Sequence, residues 1–180
     1  SGEDIAQVIN GLEMHHGSAD AERVLREGFK AEELSQHSLA GRGIYMTPDY
    51  KRASGYGGGI DELTKPISIR TNFKNILNLN KFFDGDLGSG PEKGREFKQQ
   101  FIKAADDLGY PLTDGAKAEL LDGHLFNFGE FIIDANPRPE IFKSTDPQLI
   151  PTDIRNRILG SMGYDGLTMR YYINDAQREV

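Results

Sequence analysis

Cysteine is absent from the 180 residues of this chain. This absence excludes thiol nucleophiles, cysteine-ligated zinc and disulfide bonds, although it does not fix the cellular compartment. The sequence also lacks any apolar run near the roughly 20 residues of a membrane-spanning helix, so we expect no membrane partner. Internal repeats and low-complexity tracts are absent as well. We also expect no secretory leader, because the first residues lack a basic start and an apolar segment.

Positive charge is scarce, with 21 Lys and Arg against 28 Asp and Glu and a net charge of −7. Clustered basic residues supply the general affinity of proteins for nucleic-acid backbones, so this function class is disfavoured. A small basic site for a phosphate-bearing ligand stays compatible with the composition. The length predicts one domain with enough chain for a hydrophobic core.

The most informative stretch is residues 41–59, GRGIYMTPDYKRASGYGGG. Its glycines and strand formers predict a tight entry into a strand at 44–47, followed by a helix from Asp49 to about Tyr56. Tyr45 on the strand and Tyr56 at the helix end could then face one cavity. Two tyrosines and several glycines suit a pocket for a flat aromatic ring. The alternative is structural, with Tyr45 in the core and Tyr56 anchoring the helix end.

A histidine pair ends an earlier predicted strand at 12–16, LEMHH. Alternation places Leu12, Met14 and His16 on one face, with His16 beside Gly17 at the strand end. His16 is therefore either a ligand contact or a polar surface residue. The sequence offers no clear third ligand, so we predict no metal site. A helix at 19–27 follows, with Ser18 as its cap and Gly28 as its end.

The remaining elements follow from periodicity and turn residues. The apolar residues at 97, 101, 102 and 105 form one helical stripe. No secondary structure is predicted for 124–133. The predicted elements are a helix at 4–9, a strand at 66–73, a hairpin edge or loop at 75–79, a loop at 84–94, helices at 95–108, 116–121 and 152–162 (capped by Thr152 or Asp153), a strand at 164–169 and the opening of a strand at 177–180.

The order of these pieces resembles the diphtheria-toxin/PARP-like ADP-ribosyltransferases, and bacterial and phage members in particular. The matching motifs are His16-Gly17-Ser18, Leu25-Arg26-Glu27-Gly28-Phe29, Gly41-x-Gly43-Ile44-Tyr45, Ala53-Ser54-Gly55-Tyr56 and the C-terminal Tyr164-Asp165-Gly166. Residues 14–56 carry most of the likeness, 163–180 carry some, and about 84–151 are not explained by it.

The resemblance implies a His-Tyr-Glu triad formed by His16, Tyr45 and Glu179. It also implies that Tyr56 stacks on the nicotinamide ring. Glu179 is the residue most in question, because the chain ends at Val180 and terminal residues fray unless a sheet holds them. The Gln177-x-Glu179 pair also resembles the arginine/serine/glutamate class of toxins, but the Ser-Thr-Ser strand of that class is missing.

Further ligand contacts come from the same resemblance. Gly17 would lie at the nicotinamide carboxamide, where the family uses backbone groups, and Ser18 beside it is a further candidate NAD-binding residue. Ala53 occupies the position of a carboxamide-binding serine, which leaves Ser54 one residue away as a substitute. Arg42 and Arg52 are candidate partners for the pyrophosphate.

The resemblance implies an enzyme with an α+β fold, in which two small, mostly antiparallel sheets and surrounding helices form an NAD-binding cleft. We expect one domain over 1–180 with a possible helical insertion at about 84–151. The implied reaction consumes NAD+ as substrate and transfers ADP-ribose to a protein, either in the cytoplasm or as an effector or toxin domain in a target cell. Alternatives are an NAD+ glycohydrolase, transfer to a nucleic acid, an inactive NAD-binding or scaffold module, and an RNA phosphotransferase.

Overall fold

A computed structural model of the chain describes residues 1–18, 21–30, 34, 43–56, 65–78, 94–122 and 141–168, and the backbone alone at 56, 122, 170–173 and 176–179. Both helices and strands occur among these residues, mostly in runs of two or three elements of one kind, so the predicted α+β class is confirmed. The elements in chain order are α1 (Gly2–Asn10), β1 (Met14–His16), α2 (Ala21–Glu27), α3 (Tyr50–Tyr56), β2 (Ile67–Ile69), β3 (Ile76–Asn78), α4 (Arg95–Asp107), α5 (Asp114–Asp122), α6 (Pro151–Ser161), β4 (Gly166–Thr168), β5 (Arg170–Ile173) and β6 (Ala176–Glu179).

The described residues divide into two compact units. The first unit contains α1 to α3 and all six described strands. Its described residues come from three stretches of the chain, 1–34, 43–78 and 165–179. The second unit contains α4, α5 and α6, and its described residues are 94–122 and 141–164. The expectation of one domain with a helical insertion at about 84–151 stays a prediction.

The described strands form three two-stranded pairs. β1 pairs antiparallel with β2, and β5 pairs antiparallel with β6. β3 pairs in parallel with β4, which lies 90 residues further along the chain. The prediction of a hairpin edge or loop at 75–79 is therefore wrong, because a parallel partner requires a long connection that local sequence does not reveal.

Asn10, at the end of α1, holds the chain that follows β2. Its side-chain NH2 donates to the Phe73 carbonyl at 2.8 Å, and its oxygen accepts from the Phe73 N–H at 2.8 Å. The Thr71 hydroxyl donates to the same oxygen at 2.9 Å. These bonds occupy both backbone groups of Phe73, the last residue of the strand predicted over 66–73, of which the structure shows only β2 as strand.

Asp165, just before β4, fixes the parallel pair in a similar way. Its two carboxylate oxygens accept the backbone N–H groups of Lys74 at 2.9 Å and Asn75 at 3.0 Å. Its own N–H donates to the Asn75 carbonyl at 3.0 Å. The next residue, Gly166, leaves no room for a side chain, because an added Cβ would lie 3.0 Å from the Phe73 ring.

The helices of the first unit begin and end close to where the sequence predicts. Gly28 follows α2 in the left-handed region at φ 81°, so its role as helix end is confirmed. The described part of α2 has no buried residue, and Leu25 is 70% exposed.

The second unit buries two cations together with its apolar residues. Helix α4 buries Lys98, Phe101 and Ala105, so the predicted amphipathic helix is confirmed and its inner face also includes a lysine. Helix α6 buries Arg155 near Ile154, Ile158 and Leu159. Such side chains reach the interior because their aliphatic stems pack like apolar residues.

The start of α6 differs from the sequence-based expectation. Ile150 is the N-cap and Pro151 the first helical residue, so neither Thr152 nor Asp153 caps the helix. Proline at this position is compatible with a helix start because its missing N–H has no intrahelical partner there. Thr152 lies inside the first turn and is 1% exposed. Gly163 closes the helix at φ 95°.

Two predicted features lie outside the described residues. These are the loop at 84–94, apart from Gly94, and the unassigned segment 124–133. Among the helices that the structure describes, none combines the length and the apolar character needed to span a bilayer.

The Asp165 contacts predict a loss of stability in Asp165→Ala. Two backbone donors lose a charged acceptor, so we expect the free energy of unfolding to fall by about 1–3 kcal/mol. Urea denaturation gives this value, and amide hydrogen exchange at Lys74 and Asn75 gives the local effect. Glu13→Ala is the control, because Glu13 is exposed in the same unit. Unchanged protection of both amides would contradict the role assigned to Asp165.

Lys98 predicts a pH dependence of stability. Burial lowers the pKa of Lys98 from its ordinary 10.5, and the charge of Arg95 lowers it further. Between the folded pKa and 10.5 the unfolded chain binds more protons than the folded chain, so the free energy of unfolding rises with pH across that window.

We therefore expect the stability of Lys98→Met to lack this rise with pH. Thermal midpoints of the variant and the wild type, measured at several alkaline pH values, give the comparison. Lys103→Met is the matched control on the same helix. The Lys103 Nζ donates a hydrogen bond to the Asp107 carboxylate, and this bond raises the pKa of exposed Lys103. Removing Lys103 therefore leaves the Lys98 effect in place. Parallel pH curves for the wild type and Lys98→Met would refute the prediction.

Candidate functional site

The candidate site is built around β1. The His15 N–H donates to the Thr47 carbonyl at 2.7 Å, and the Thr47 N–H donates to the His15 carbonyl at 2.9 Å. On its other edge β1 pairs with β2. The chain around Thr47 therefore lies beside β1, and β1 lies beside β2. The helices α2 and α3 separate these segments in sequence.

The strand predicted at 44–47 is wrong as a regular element, because Thr47 alone forms a bridge there. Tyr45 lies just before this bridge and is half-buried. The helix predicted after it is confirmed as α3. Asp49 opens that helix, since its carboxylate accepts the Arg52 N–H at 3.2 Å while its own N–H donates to the Thr47 hydroxyl at 3.1 Å.

His16 is fixed by two contacts. Its Nδ1 lies 2.7 Å from the Tyr45 carbonyl oxygen, across 29 residues of sequence. A carbonyl oxygen only accepts, so Nδ1 carries the proton and Nε2 of the neutral ring is an acceptor. The Phe29 ring meets the imidazole edge-on, with centroids 5.1 Å apart and an interplanar angle of 80°. The ring plane and the tautomer of His16 are thereby both set.

Gly17 and Ser18 continue the chain beyond β1 and are half-buried. They lie next to His16 at the end of the strand, as the sequence predicts. The cap that Ser18 was expected to provide lies outside the described residues, since α2 begins at Ala21 and residues 19 and 20 are not described.

Helix α3 carries three of the predicted site residues. Arg52 is half-buried. The Ser54 hydroxyl donates to the Tyr50 carbonyl at 2.9 Å, so its proton is used within the helix. Tyr56 is the last residue of α3, and its side chain lies outside the described part. Ala53 is 1% exposed, which makes this position a packing position.

Two further predicted site residues, besides Tyr56, have no described side chain. Arg42 lies outside the described residues. Glu179 is the last residue of β6, where its backbone pairs with Arg170 of β5. The backbone of Glu179 is therefore held by a neighbouring strand, which limits fraying at this position.

Three contacts near β1 were not assigned to the site from the sequence. Phe29 packs on His16, a contact that its place in the Leu25–Phe29 motif does not reveal. His15 contacts the Tyr50 ring edge-on, with centroids 5.3 Å apart, and its Nδ1 lies 3.1 Å from the Ser68 Oγ. The alternation of side chains along β1 separates His15 from His16, but it does not reveal which residues meet them.

The described residues contain no group of three or more histidine or acidic side chains placed to hold a metal ion. Comparison of the chain with protein-family models, with curated proteins and with solved structures finds no match. The chemistry of the site therefore has to be argued from its residues.

The His16 contact predicts the tautomer of its neutral imidazole. We expect the form with Nδ1 protonated, because the Tyr45 carbonyl accepts only from an N–H. Two-bond proton–nitrogen NMR spectra of the wild type and His16→Asn assign the signals and identify the protonated nitrogen. Phe29→Leu is the control, because it removes the ring contact and leaves the carbonyl in place. A proton on Nε2 in the neutral wild-type ring would show that the hydrogen bond is absent.

Proposed function

We propose that this protein is a mono-ADP-ribosyltransferase that breaks the nicotinamide–ribose bond of NAD+ and transfers ADP-ribose to a protein. The observation that supports this most is the contact between His16 and the Tyr45 carbonyl at 2.7 Å. Two of the three residues of the His-Tyr-Glu set, distant in sequence, are thus held together. The third, Glu179, belongs to a paired strand of the same unit.

His16 is assigned to hold the ribose of NAD+. With its proton on Nδ1, the neutral ring presents Nε2 as an acceptor, which suits a ribose hydroxyl as donor. The Phe29 ring and the Tyr45 carbonyl fix the imidazole before any ligand binds. A fixed ring needs no reordering on binding, which lowers the entropic cost of holding the sugar.

The nicotinamide is assigned to the space between Tyr45 and Tyr56, which are aromatic groups suited to stacking on a flat ring. Gly17 would bind its carboxamide through its backbone, and Ser18 beside it is assigned to the same NAD-binding site. Ser54 is a weaker partner than the sequence suggested, because its hydroxyl already donates to the Tyr50 carbonyl. Arg42 and Arg52 are assigned to the pyrophosphate, since guanidinium groups match phosphate oxygens.

Glu179 is assigned to the chemical step. Breaking the glycosidic bond builds positive charge on the ribose in an oxocarbenium-like transition state. A carboxylate beside that carbon stabilises the charge as it forms and can orient the attacking group. NAD+ and the acceptor then yield the ADP-ribosylated acceptor, nicotinamide and a proton.

An ADP-ribosyltransferase function also implies a particular fold, acceptor and cellular location. The three strand pairs of the first unit would belong to the two small sheets of an ADP-ribosyltransferase fold. Helices α4 and α5 of the second unit would belong to the insertion expected at about 84–151, whereas α6 lies almost wholly beyond it. A protein acceptor is favoured over a nucleic acid, because the net charge is −7. Action within the cytoplasm or as an effector in a target cell is part of the same proposal.

Release of nicotinamide from NAD+ tests the reaction, with and without cell lysate as a source of acceptor. We expect Glu179→Gln to lower the initial rate by about 10²–10³, the usual effect of losing one group that stabilises transition-state charge. Glu22→Gln is the matched control, because Glu22 is an exposed carboxylate on α2. It should retain the wild-type rate.

The distribution of label from NAD+ separates the possible outcomes. ADP-ribose on protein supports transfer to a protein, whereas free ADP-ribose alone indicates a glycohydrolase. Label on nucleic acid would show that the acceptor is a nucleic acid and not a protein. If NAD+ raises the thermal midpoint of the protein but is not consumed, the protein is an NAD-binding module and not an enzyme. Equal rates for the wild type and Glu179→Gln would remove Glu179 from the mechanism.

A further inference from the structure

The second face of β1 carries a pair of side chains that the proposed reaction does not use. His15 and Ser68 lie directly opposite each other in the β1–β2 pairing. Side chains alternate along a strand, so this pair lies on the face opposite to His16. The His15 Nδ1 and the Ser68 Oγ are 3.1 Å apart. An imidazole and a hydroxyl at this distance are within reach for general-base activation of the hydroxyl.

The imidazole of this pair is held in place by its surroundings. The Tyr50 ring meets it edge-on, with centroids 5.3 Å apart and an interplanar angle of 83°. The backbone N–H and carbonyl of His15 are both bonded to Thr47. Ser68, in contrast, is exposed. The pair therefore combines a positioned base with a hydroxyl that another molecule can reach.

Other serine hydroxyls in the described part have different partners. Ser54 donates to the Tyr50 carbonyl and Ser161 donates to the Ile158 carbonyl, both in their own helices. A backbone carbonyl cannot take up a proton at neutral pH, whereas an imidazole can. This difference makes Ser68 the better nucleophile of the three and Ser161 a suitable control.

We propose that Ser68 is an acceptor for ADP-ribose, with His15 as its general base, and that one copy of the protein modifies another. This inference rests on the proposed function. The reaction takes place between two copies because Ser68 and His16 lie on opposite faces of the β1–β2 pair, so a chain cannot bring its own Ser68 to its own His16 face. The acceptor class is thus an exposed serine next to an imidazole.

The bonds and protons of the step balance. The Ser68 Oγ attacks the anomeric carbon of the nicotinamide ribose, and a C–O bond forms as the C–N bond breaks. Nicotinamide leaves with the electron pair of that bond and becomes neutral. The hydroxyl proton passes to the His15 Nδ1 and then to water.

The test separates donor from acceptor. Wild-type protein in trace amount acts as donor, and an excess of Glu179→Gln acts as acceptor, with labelled NAD+ as substrate. Trypsin cuts at Arg52 and Arg70, and the resulting peptide also contains Ser54, so a fragmentation spectrum has to locate the adduct. We expect it on Ser68, joined by a linkage that resists neutral hydroxylamine, unlike an ester to a carboxylate.

Variants of the acceptor test each part of the pair. In the Glu179→Gln background, Ser68→Ala should remove the label from this peptide and Ser68→Thr should retain some. His15→Asn should slow labelling by about 10²-fold, the usual lower range for loss of a general base. Ser161→Ala should leave labelling unchanged. Since these variants act only as acceptors, the donor's activity is the same throughout.

The possible failures are distinguishable. Nicotinamide release by the wild type with no adduct on Ser68 overturns this inference and leaves the proposed function standing. An adduct on Ser68 that forms equally fast in His15→Asn overturns the role of His15. Absence of nicotinamide release with any acceptor overturns both proposals.

Discussion

The first unit depends on the position of β1 between two other segments. His15 uses both of its backbone hydrogen-bonding groups on Thr47, while β1 pairs with β2 on its other edge. A strand of three residues has little stability alone, and it persists because both of its edges are satisfied. The same pairing brings Tyr45 to His16 and places Tyr50 beside His15, so the site and its supporting contacts share one origin.

Short polar side chains complete what these small strand pairs leave open. Asn10 accepts from and donates to the backbone of Phe73, as a neighbouring strand would. Asp165 accepts two consecutive backbone N–H groups next to β3. Each side chain gives a hydrogen-bond partner to backbone groups that lie just beyond the short strands. The first unit thus joins distant parts of the chain with side-chain contacts where it has few ladder bonds.

The sequence predicts those features that depend on nearby residues. Helices α1, α2, α3, α4 and α6 follow from periodicity and from stop signals such as Gly28 after α2 and Gly163 after α6. It fails where distant segments decide the outcome. The parallel partner of β3 lies 90 residues away in sequence. Tyr45 is positioned by the neighbouring bridge at Thr47, because residues 44–47 do not form a regular strand. The burial of Lys98 is also invisible, because a lysine on a helix normally faces solvent.

The two adjacent histidines show how one dipeptide can serve two kinds of chemistry. The Nδ1 of His16 faces a carbonyl, which only accepts, so this nitrogen must keep its proton. The Nδ1 of His15 faces a hydroxyl, which can donate as well as accept, so this nitrogen can act as a base. Residue type and position in the sequence are nearly the same for both. The difference comes from strand alternation, which turns the rings to opposite faces, and from the atom that each ring meets there.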